Sequence, residues 1–136
     1  MNAATQVEGT PQTVTTLATV LVVDDDPSVR MLVLKALTRA GFDVVAAADA
    51  RSAQAAAARH PEIALLVLDV NVPGGGGRRL GAALGLSCPE AGVIYTSGFP
   101  SDLVVEQGVI TSSSTFLPKP FSVDELVTAV RNGVGV

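Results

Sequence analysis

The sequence predicts an α/β fold in which a doubly wound, five-stranded parallel sheet lies between helices as a three-layer sandwich. Short apolar, β-branched runs alternate with longer amphipathic or Ala-rich segments along the chain. The runs are almost continuously apolar, as is typical of strands buried on both faces of a parallel sheet. Of the 136 residues 48% are hydrophobic and 16% are charged, so a single domain with a full core is expected.

The first strand–helix unit begins with the β-branched run at residues 19–23 (TVLVV). Pro27 suits the first turn of the helix that follows, because the backbone N–H that proline lacks has no helical partner there. Gly41 provides a stop for this helix. Apolar residues recur between the two at helical spacing, at Val29, Leu32, Val33, Ala36 and Leu37.

The second unit follows directly. Residues 42–46 are predicted to form a strand, and residues 50–59 an Ala-rich helix that ends before Pro61. Residues 63–68 (IALLVL) form a third buried strand, which ends at Asp69.

A glycine-rich loop follows the third strand. Asn71 leads into four consecutive glycines, Gly74–Gly77, and a helix is predicted to resume near Arg78 and to end near Leu86. This helix completes the third unit.

The last two units are shorter. Residues 92–96 (GVIYT) and 115–117 are predicted as the fourth and fifth strands, with a short helix at residues 100–108 between them. Ser122 and Glu125 form a capping-box pattern at the start of a final helix that ends near residue 132. Its apolar stripe consists of Leu126, Val127 and Val130.

The ends of the chain and its bulk properties restrict the possible functions. Residues 1–17 are interpreted as a flexible tail or linker, and residues 18–133 as the folded domain.

The net charge is −4 and there is no basic run, so direct nucleic-acid binding is not expected. The single Cys88 allows no internal disulfide, and no Cys/His cluster has metal-ligand spacing. With no signal peptide and no long apolar span, a cytoplasmic protein without membrane insertion is predicted.

The chemistry is expected at the carboxyl edge of the sheet, where open α/β folds bind ligands. The first strand ends in Asp24–Asp26, the third in Asp69 and the fourth in Ser97, and the fifth leads into Lys119. Carboxylates that share a small site repel one another, and a divalent cation relieves this repulsion. Hard oxygen ligands favour Mg²⁺ or Mn²⁺. Such a cation, beside a lysine and a hydroxyl, suits a phosphoryl-transfer site: the metal ion and the lysine neutralise the phosphoryl oxygens while a carboxylate attacks phosphorus.

Four segments resemble the receiver domains of two-component response regulators and hybrid histidine kinases. These are VLVVDDDPSVR (20–30), LLVLDVNVPG (65–74), VIYTSGF (93–99) and FLPKPF (116–121). Their order and separations are those of the family, and the resemblance covers about residues 19–133. It implies the flavodoxin-like (βα)5 arrangement. The Ser-Gly-Phe and Lys-Pro-Phe sequences resemble receivers of hybrid sensor kinases more than those of transcription factors.

The resemblance implies a role for each acidic position. Asp69 would be the phosphoacceptor. Asp24 and Asp25 would form the acidic pair at the Mg²⁺ or Mn²⁺ ion, with Asp25 and Asp69 preferred as direct ligands. Asn71 would give its backbone carbonyl to the same ion.

The phosphoryl contacts are implied in the same way. The hydroxyl of Ser97 would contact the attached phosphoryl group, and Lys119 would pair with it from the far side. The family's Lys-Pro bond is often cis, so the bond before Pro120 is expected to be cis. Phe116 stands at the position of an aromatic switch residue, where the family more often has Tyr.

Some of these residues also have purely structural interpretations. Asp24–Asp26 could be a solvated turn that caps the next helix, and capping is the favoured role of Asp26. Thr96 could replace Ser97 by one step along the strand, although the Ser-Gly-Phe continuation favours Ser97. Phe116 could be an ordinary core residue.

The first functional hypothesis is a phosphorylatable receiver. A histidine kinase or histidine phosphotransfer protein would donate to Asp69 with Mg²⁺ present. The acyl phosphate would then shift the face formed by the predicted helix at 100–108, the fifth strand and the last helix. Such a domain assists its own phosphorylation and hydrolysis but is not a turnover enzyme. It would be a monomer or a phosphorylation-dependent dimer.

Two other hypotheses remain. Gly74–Gly77 replace the family's usual Met-x-Gly turn, and because glycine relaxes backbone restraint the loop is expected to be mobile. This favours a receiver-fold interaction module that signals without phosphorylation. The third hypothesis is a phosphohydrolase with an Asp nucleophile, but such enzymes need a second acid two residues on, where this chain has Asn71.

Overall fold

We describe the protein from a computed structural model, in which residues 17–98 and 115–135 are described. The predicted tail up to residue 16 and the predicted helix at 100–108 lie outside these residues. Strands and helices alternate along the described chain: β1 Thr19–Val23, α1 Pro27–Arg39, β2 Asp43–Ala47, α2 Ala50–Arg59, β3 Leu65–Asp69, α3 Gly77–Ser87, β4 Gly92–Ser97, β5 Thr115–Pro118 and α4 Val123–Val134.

The five strands form one sheet in the order β2-β1-β3-β4-β5, and every neighbouring pair is parallel. The chain runs outward from β1 to one edge and then returns through β3 to the other. This is the doubly wound, flavodoxin-like arrangement, so the predicted fold class is confirmed. β1 and β3 lie side by side at the centre of the sheet, which brings the residues at their carboxyl ends together.

The core consists of two apolar layers, one on each face of the sheet. Because side chains alternate along a strand, Leu66 and Leu68 face one layer, and Leu65 and Val67 face the other. The first layer holds α2 and α3 through Ala53, Ala57, Leu80 and Leu84. The second holds α1 and α4 through Val33, Leu37, Leu126 and Val130. Each fully buried Leu contributes about 1.5–3 kcal/mol, so the layers account for much of the stability.

The starts of β2 and β3 and one face of α1 differ from the sequence-based prediction, and β3 begins at Leu65 rather than at residue 63. β2 begins at Asp43 rather than at Phe42, because the Phe42 N–H donates to the Leu37 carbonyl at 3.0 Å and so belongs to the turn that ends α1. On α1, Leu32 was predicted within the apolar stripe but is 45% exposed, and Val33 and Leu37 are the buried positions.

The helix caps agree with the sequence. The Asp26 side chain accepts hydrogen bonds from the backbone N–H groups of Ser28 and Val29, which confirms its capping role on α1. At α4, Ser122 and Glu125 form the predicted reciprocal capping box.

Candidate functional site

Three carboxylates meet at the carboxyl edge of the two central strands. Asp24 and Asp25 follow β1, Asp69 ends β3, and one oxygen atom from each lies within 4.8 Å of the others. Asp24 and Asp69 are buried, at 3% and 6% exposure, whereas Asp25 is exposed. Parallel pairing of β1 with β3 creates this cluster, since it sets Val23 opposite Leu68 immediately before the acidic residues.

Lys119 supplies a positive charge within this cluster. Its Nζ lies 2.8 Å from Asp24 Oδ2 and 3.3 Å from Asp69 Oδ2. The Lys119 backbone N–H donates to the Ser97 carbonyl at 2.8 Å, which ties the residue after β5 to the end of β4. The bond to Pro120 is cis, as predicted.

The pKa of the Asp69 carboxyl is raised. Burial is the largest cause, because a buried carboxylate loses hydration. The Asn71 backbone N–H, which donates to Asp69 Oδ1 at 3.1 Å, and the charge of Lys119 lower the pKa, but only in part. The negative charge of Asp24 adds to the rise.

The pKa of Lys119 is also raised. Burial alone would lower it, but the hydrogen bond to Asp24 and the charges of Asp69 and Asp24 together outweigh burial. The lysine is therefore held in its charged form between the two carboxylates.

The predicted phosphoryl-contact residues stand at the same edge. Thr96 is the ladder partner of Asp69, and Ser97 follows it as the last residue of β4. Both are buried. The structure brings both residues to the carboxyl edge, and the choice of Ser97 for the phosphoryl contact stays a prediction.

The two remaining predicted site residues lie in different surroundings. Asn71 is exposed in the loop after β3, where its N–H donates to Asp69. Phe116 lies in β5 opposite Tyr95 of β4, half-buried, and packs against the core layer formed with α2 and α3. The metal role of Asn71 and the switch role of Phe116 stay predictions.

In the glycine loop, Gly74 and Gly77 lie where a Cβ atom would collide with neighbouring residues. Gly74 has φ +105°, and a Cβ there would lie 2.7 Å from the Cβ of Ala50. At Gly77 a Cβ would lie 2.8 Å from both the Asp69 carbonyl oxygen and the Val70 Cα. The Gly77 N–H donates to the Val70 carbonyl at 2.9 Å. The positive φ and the contact with Ala50 explain glycine at position 74, and close approach to the backbone explains it at position 77. Mobility of the loop stays a prediction.

Arg30 also contacts the site, although no pattern in the sequence singles it out. Its guanidinium donates to the backbone carbonyl of Asp24 at 2.8 Å. An arginine in the first turn of a helix is ordinary in sequence, so only the folded geometry identifies this bond.

The donor set fits a hard divalent cation. Carboxylate oxygens from Asp24, Asp25 and Asp69 lie close enough to share one ion, and Mg²⁺ is held by one or two carboxylates together with waters and phosphate oxygens. No sulfur or imidazole ligand belongs to this cluster, which disfavours zinc.

The sequence comparisons agree with this arrangement. The family profile described as "Response regulator receiver domain" matches residues 20–131. Transcriptional regulatory protein AruR of Pseudomonas aeruginosa is 32% identical over 117 residues, which are 83% of this chain and 48% of the regulator. Sensor kinase CckA of Brucella abortus is 33% identical over 115 residues, 84% of this chain but 12% of the kinase. The chain thus spans about half of the regulator and a small part of the kinase.

Solved structures give the same result. The receiver domain from hybrid histidine kinase CckA has a TM-score of 0.73 and 29% identity, covering 85% of this chain and 98% of that domain. The CheX-CheY-BeF3-Mg complex from Borrelia burgdorferi contains a chain with a TM-score of 0.75 and 26% identity, covering 88% and 90% of the two chains. No helix among the described residues is both long and apolar enough to cross a membrane.

Proposed function

The chain belongs to the response regulator receiver domain family, and we propose that it accepts a phosphoryl group on Asp69 from a phosphohistidine of a histidine kinase or phosphotransfer protein. One observation carries this proposal: the Asp69 carboxylate shares a cluster with Asp24 and Asp25 and lies 3.3 Å from Lys119. A phosphoryl group attached to Asp69 would lie near the Lys119 ammonium group and near the carboxylates that could bind a metal ion.

The proposed transfer is a substitution at phosphorus. An Asp69 carboxylate oxygen forms the new P–O bond as the P–N bond to the donor imidazole breaks, and the imidazole takes up one proton so that it leaves as the neutral base. Lys119 neutralises charge on the phosphoryl oxygens, and the Ser97 hydroxyl donates to one of them. Asp25, Asp69 and the Asn71 carbonyl would hold a Mg²⁺ ion, which would supply further positive charge to those oxygens.

The proposal also covers the bounds of the domain, its compartment and its oligomeric state. We place the folded domain at residues 18–133 and the exchange in the cytoplasm, where the lone, buried Cys88 would remain a free thiol. The domain would act as a monomer or as a phosphorylation-dependent dimer, with Phe116 in the surface that changes on phosphorylation.

Phosphorylation is tested by intact mass. The full chain is incubated with Mg²⁺ and acetyl phosphate or phosphoramidate, and one phosphate-sized gain is expected. Asp69→Asn should abolish the gain. Asp43→Asn is a matched control, because Asp43 is exposed at the opposite, amino end of β2.

Two results would contradict the proposal. Continued uptake by Asp69→Asn would place the phosphoryl group elsewhere. No mass gain with any donor, together with no Mg²⁺ binding, would instead favour a receiver-fold interaction module that works without phosphorylation.

A further inference from the structure

The three clustered carboxylates differ in how they are held. The Asp24 carboxylate accepts hydrogen bonds from the Asp26 N–H at 2.9 Å and from Lys119 at 2.8 Å. The Asp69 carboxylate accepts from the Asn71 N–H at 3.1 Å and from Lys119 at 3.3 Å. The Asp25 carboxylate accepts no hydrogen bond from the described residues and is exposed. Its position therefore depends on its backbone.

Arg30 holds the peptide that leads into Asp25. The Asp24 carbonyl and the Asp25 N–H belong to one planar peptide unit, so the direction of the carbonyl sets the orientation at which Asp25 begins. The half-buried Arg30 donates to that carbonyl at 2.8 Å from the first turn of α1. Among the described residues, no other group donates a hydrogen bond to the Asp24 carbonyl.

The helix that carries Arg30 is itself anchored to the same turn. Asp26 caps α1 through the N–H groups of Ser28 and Val29, and the Arg30 N–H donates to the Asp26 carbonyl at 2.9 Å. The backbone of Arg30, four residues beyond the N-cap, is therefore fixed relative to the turn that its guanidinium contacts. Hydrogen bonds to the Asp24 and Asp26 side chains, to the Asp24 carbonyl and to the Asp26 carbonyl therefore fix the turn at residues 24–26.

We propose that Arg30 is a positioning residue for the divalent cation: by fixing the Asp24–Asp25 peptide, it directs the Asp25 carboxylate toward Asp69. This inference rests on the proposed function, because it assumes that the cluster binds a divalent cation. It adds a residue that has neither a metal-ligating nor a phosphoryl-contacting role.

The direction in which Mg²⁺ affinity changes when Arg30 is replaced distinguishes a positioning role from a simple charge effect. Arg30 is a cation bonded to the Asp24 carbonyl, next to the acidic cluster. It therefore repels a divalent cation, and its removal would tighten Mg²⁺ binding if charge alone mattered. If Arg30 positions Asp25, its removal weakens binding. Partners that orient metal ligands typically change metal affinity by about 10–100-fold, which is large enough to exceed the opposing charge effect.

The experiment measures Mg²⁺ affinity of the full chain by calorimetry, with wild type, Arg30→Met, Arg30→Lys and the control Arg39→Met. Arg39 is exposed in the last turn of the same helix, so its change removes the same charge away from the site. We expect Arg30→Met to weaken binding by on the order of tenfold. Arg30→Lys should recover part of the loss because it keeps a donor, and Arg39→Met should leave the affinity unchanged.

A double-mutant cycle tests whether Arg30 acts through Asp25. If it does, Arg30→Met and Asp25→Asn together should weaken Mg²⁺ binding little more than Asp25→Asn alone. Equal or tighter binding by Arg30→Met, or additive losses in the cycle, would overturn the inference. Should Arg30→Met fail to fold, Arg30→Lys in the same cycle decides the point. The wild-type titration tests the proposed function separately, since absence of Mg²⁺ binding there removes the basis of both.

Discussion

Lys119 Nζ donates to Asp24 Oδ2 at 2.8 Å, although the two residues are 95 positions apart in the sequence. The bond connects the loop after β5, at the edge of the sheet, with the end of β1 at its centre. It also leaves Asp24 paired when no cation is bound, while the same ammonium group reaches Asp69 at 3.3 Å. The lysine and a divalent cation are therefore alternative ways to neutralise the same carboxylates.

Replacing this lysine should destabilise the protein chiefly when Mg²⁺ is absent. In chelator, Lys119→Met leaves two buried carboxylates without a cation, and because Lys119 is partly exposed we expect a loss of about 1–3 kcal/mol in the free energy of unfolding. Saturating Mg²⁺ should reduce that loss, since the ion takes over the neutralisation. Urea denaturation in both conditions measures the difference, with exposed Lys35→Met as the control. An equal loss with and without Mg²⁺ would contradict this account.

The raised pKa of Asp69 predicts how stability depends on pH. Burial makes the folded protein hold this proton more tightly than the unfolded chain does, in which the carboxyl has its ordinary value of 3.8. Ionisation of Asp69 therefore lowers stability as pH rises from 3.8 through the raised native pKa. Asn cannot ionise, so the stability of Asp69→Asn relative to wild type should increase across this window and stay constant above it.

The measurement is the free energy of unfolding in chelator at a series of pH values. Asp43→Asn, measured in parallel, separates the effect of Asp69 from the general acid response of the protein. A stability difference that does not change with pH, or one that decreases as pH rises, would show that burial does not dominate at Asp69.

The sequence predicted the acidic cluster because of a general property of parallel sheets. Asp24 and Lys119 directly follow apolar strands and Asp69 ends one, and parallel strands bring their carboxyl ends to one edge. The Arg30 bond to a backbone carbonyl could not be predicted, since no side-chain pattern marks its acceptor. The start of β2 was misplaced because Phe42 is apolar and buried like a strand residue, while its N–H bonds back to the helix end.

Gly77 and Gly85 belong to the same helix, and alanine should affect them in opposite directions. A Cβ at Gly77 would lie 2.8 Å from backbone atoms of Asp69 and Val70, so the end of β3 and the start of α3 must move apart. We expect Gly77→Ala to cost about 1–3 kcal/mol and to weaken Mg²⁺ binding, because the altered contact involves the backbone of Asp69. Nothing lies within 4 Å of a Cβ at Gly85, so Gly85→Ala should gain about 0.5–1 kcal/mol from helix propensity. Urea denaturation tests both; stabilisation by Gly77→Ala would refute the close approach.

Gly81 of α3 allows the helix to approach the buried side chain of Tyr95. A Cβ at Gly81 would lie 2.6 Å from the Tyr95 hydroxyl oxygen, but 3.5 Å from Leu68 Cδ1 and 3.6 Å from the ring carbon that carries the hydroxyl. The collision therefore involves one oxygen atom. Gly81→Ala should destabilise wild type by about 1–3 kcal/mol, because Tyr95 is 7% exposed and must move within a packed layer.

Removing that oxygen should reverse the sign. In a Tyr95→Phe background the new methyl group makes only ordinary van der Waals contacts, and alanine is favoured over glycine in a helix by about 0.8–1 kcal/mol. Gly81→Ala should then stabilise the protein. Urea denaturation of wild type, the two single variants and the double variant gives the coupling energy between the two sites. Additive effects would mean that the hydroxyl is not what excludes a side chain at position 81, and that the helix can move away from β4 at little cost.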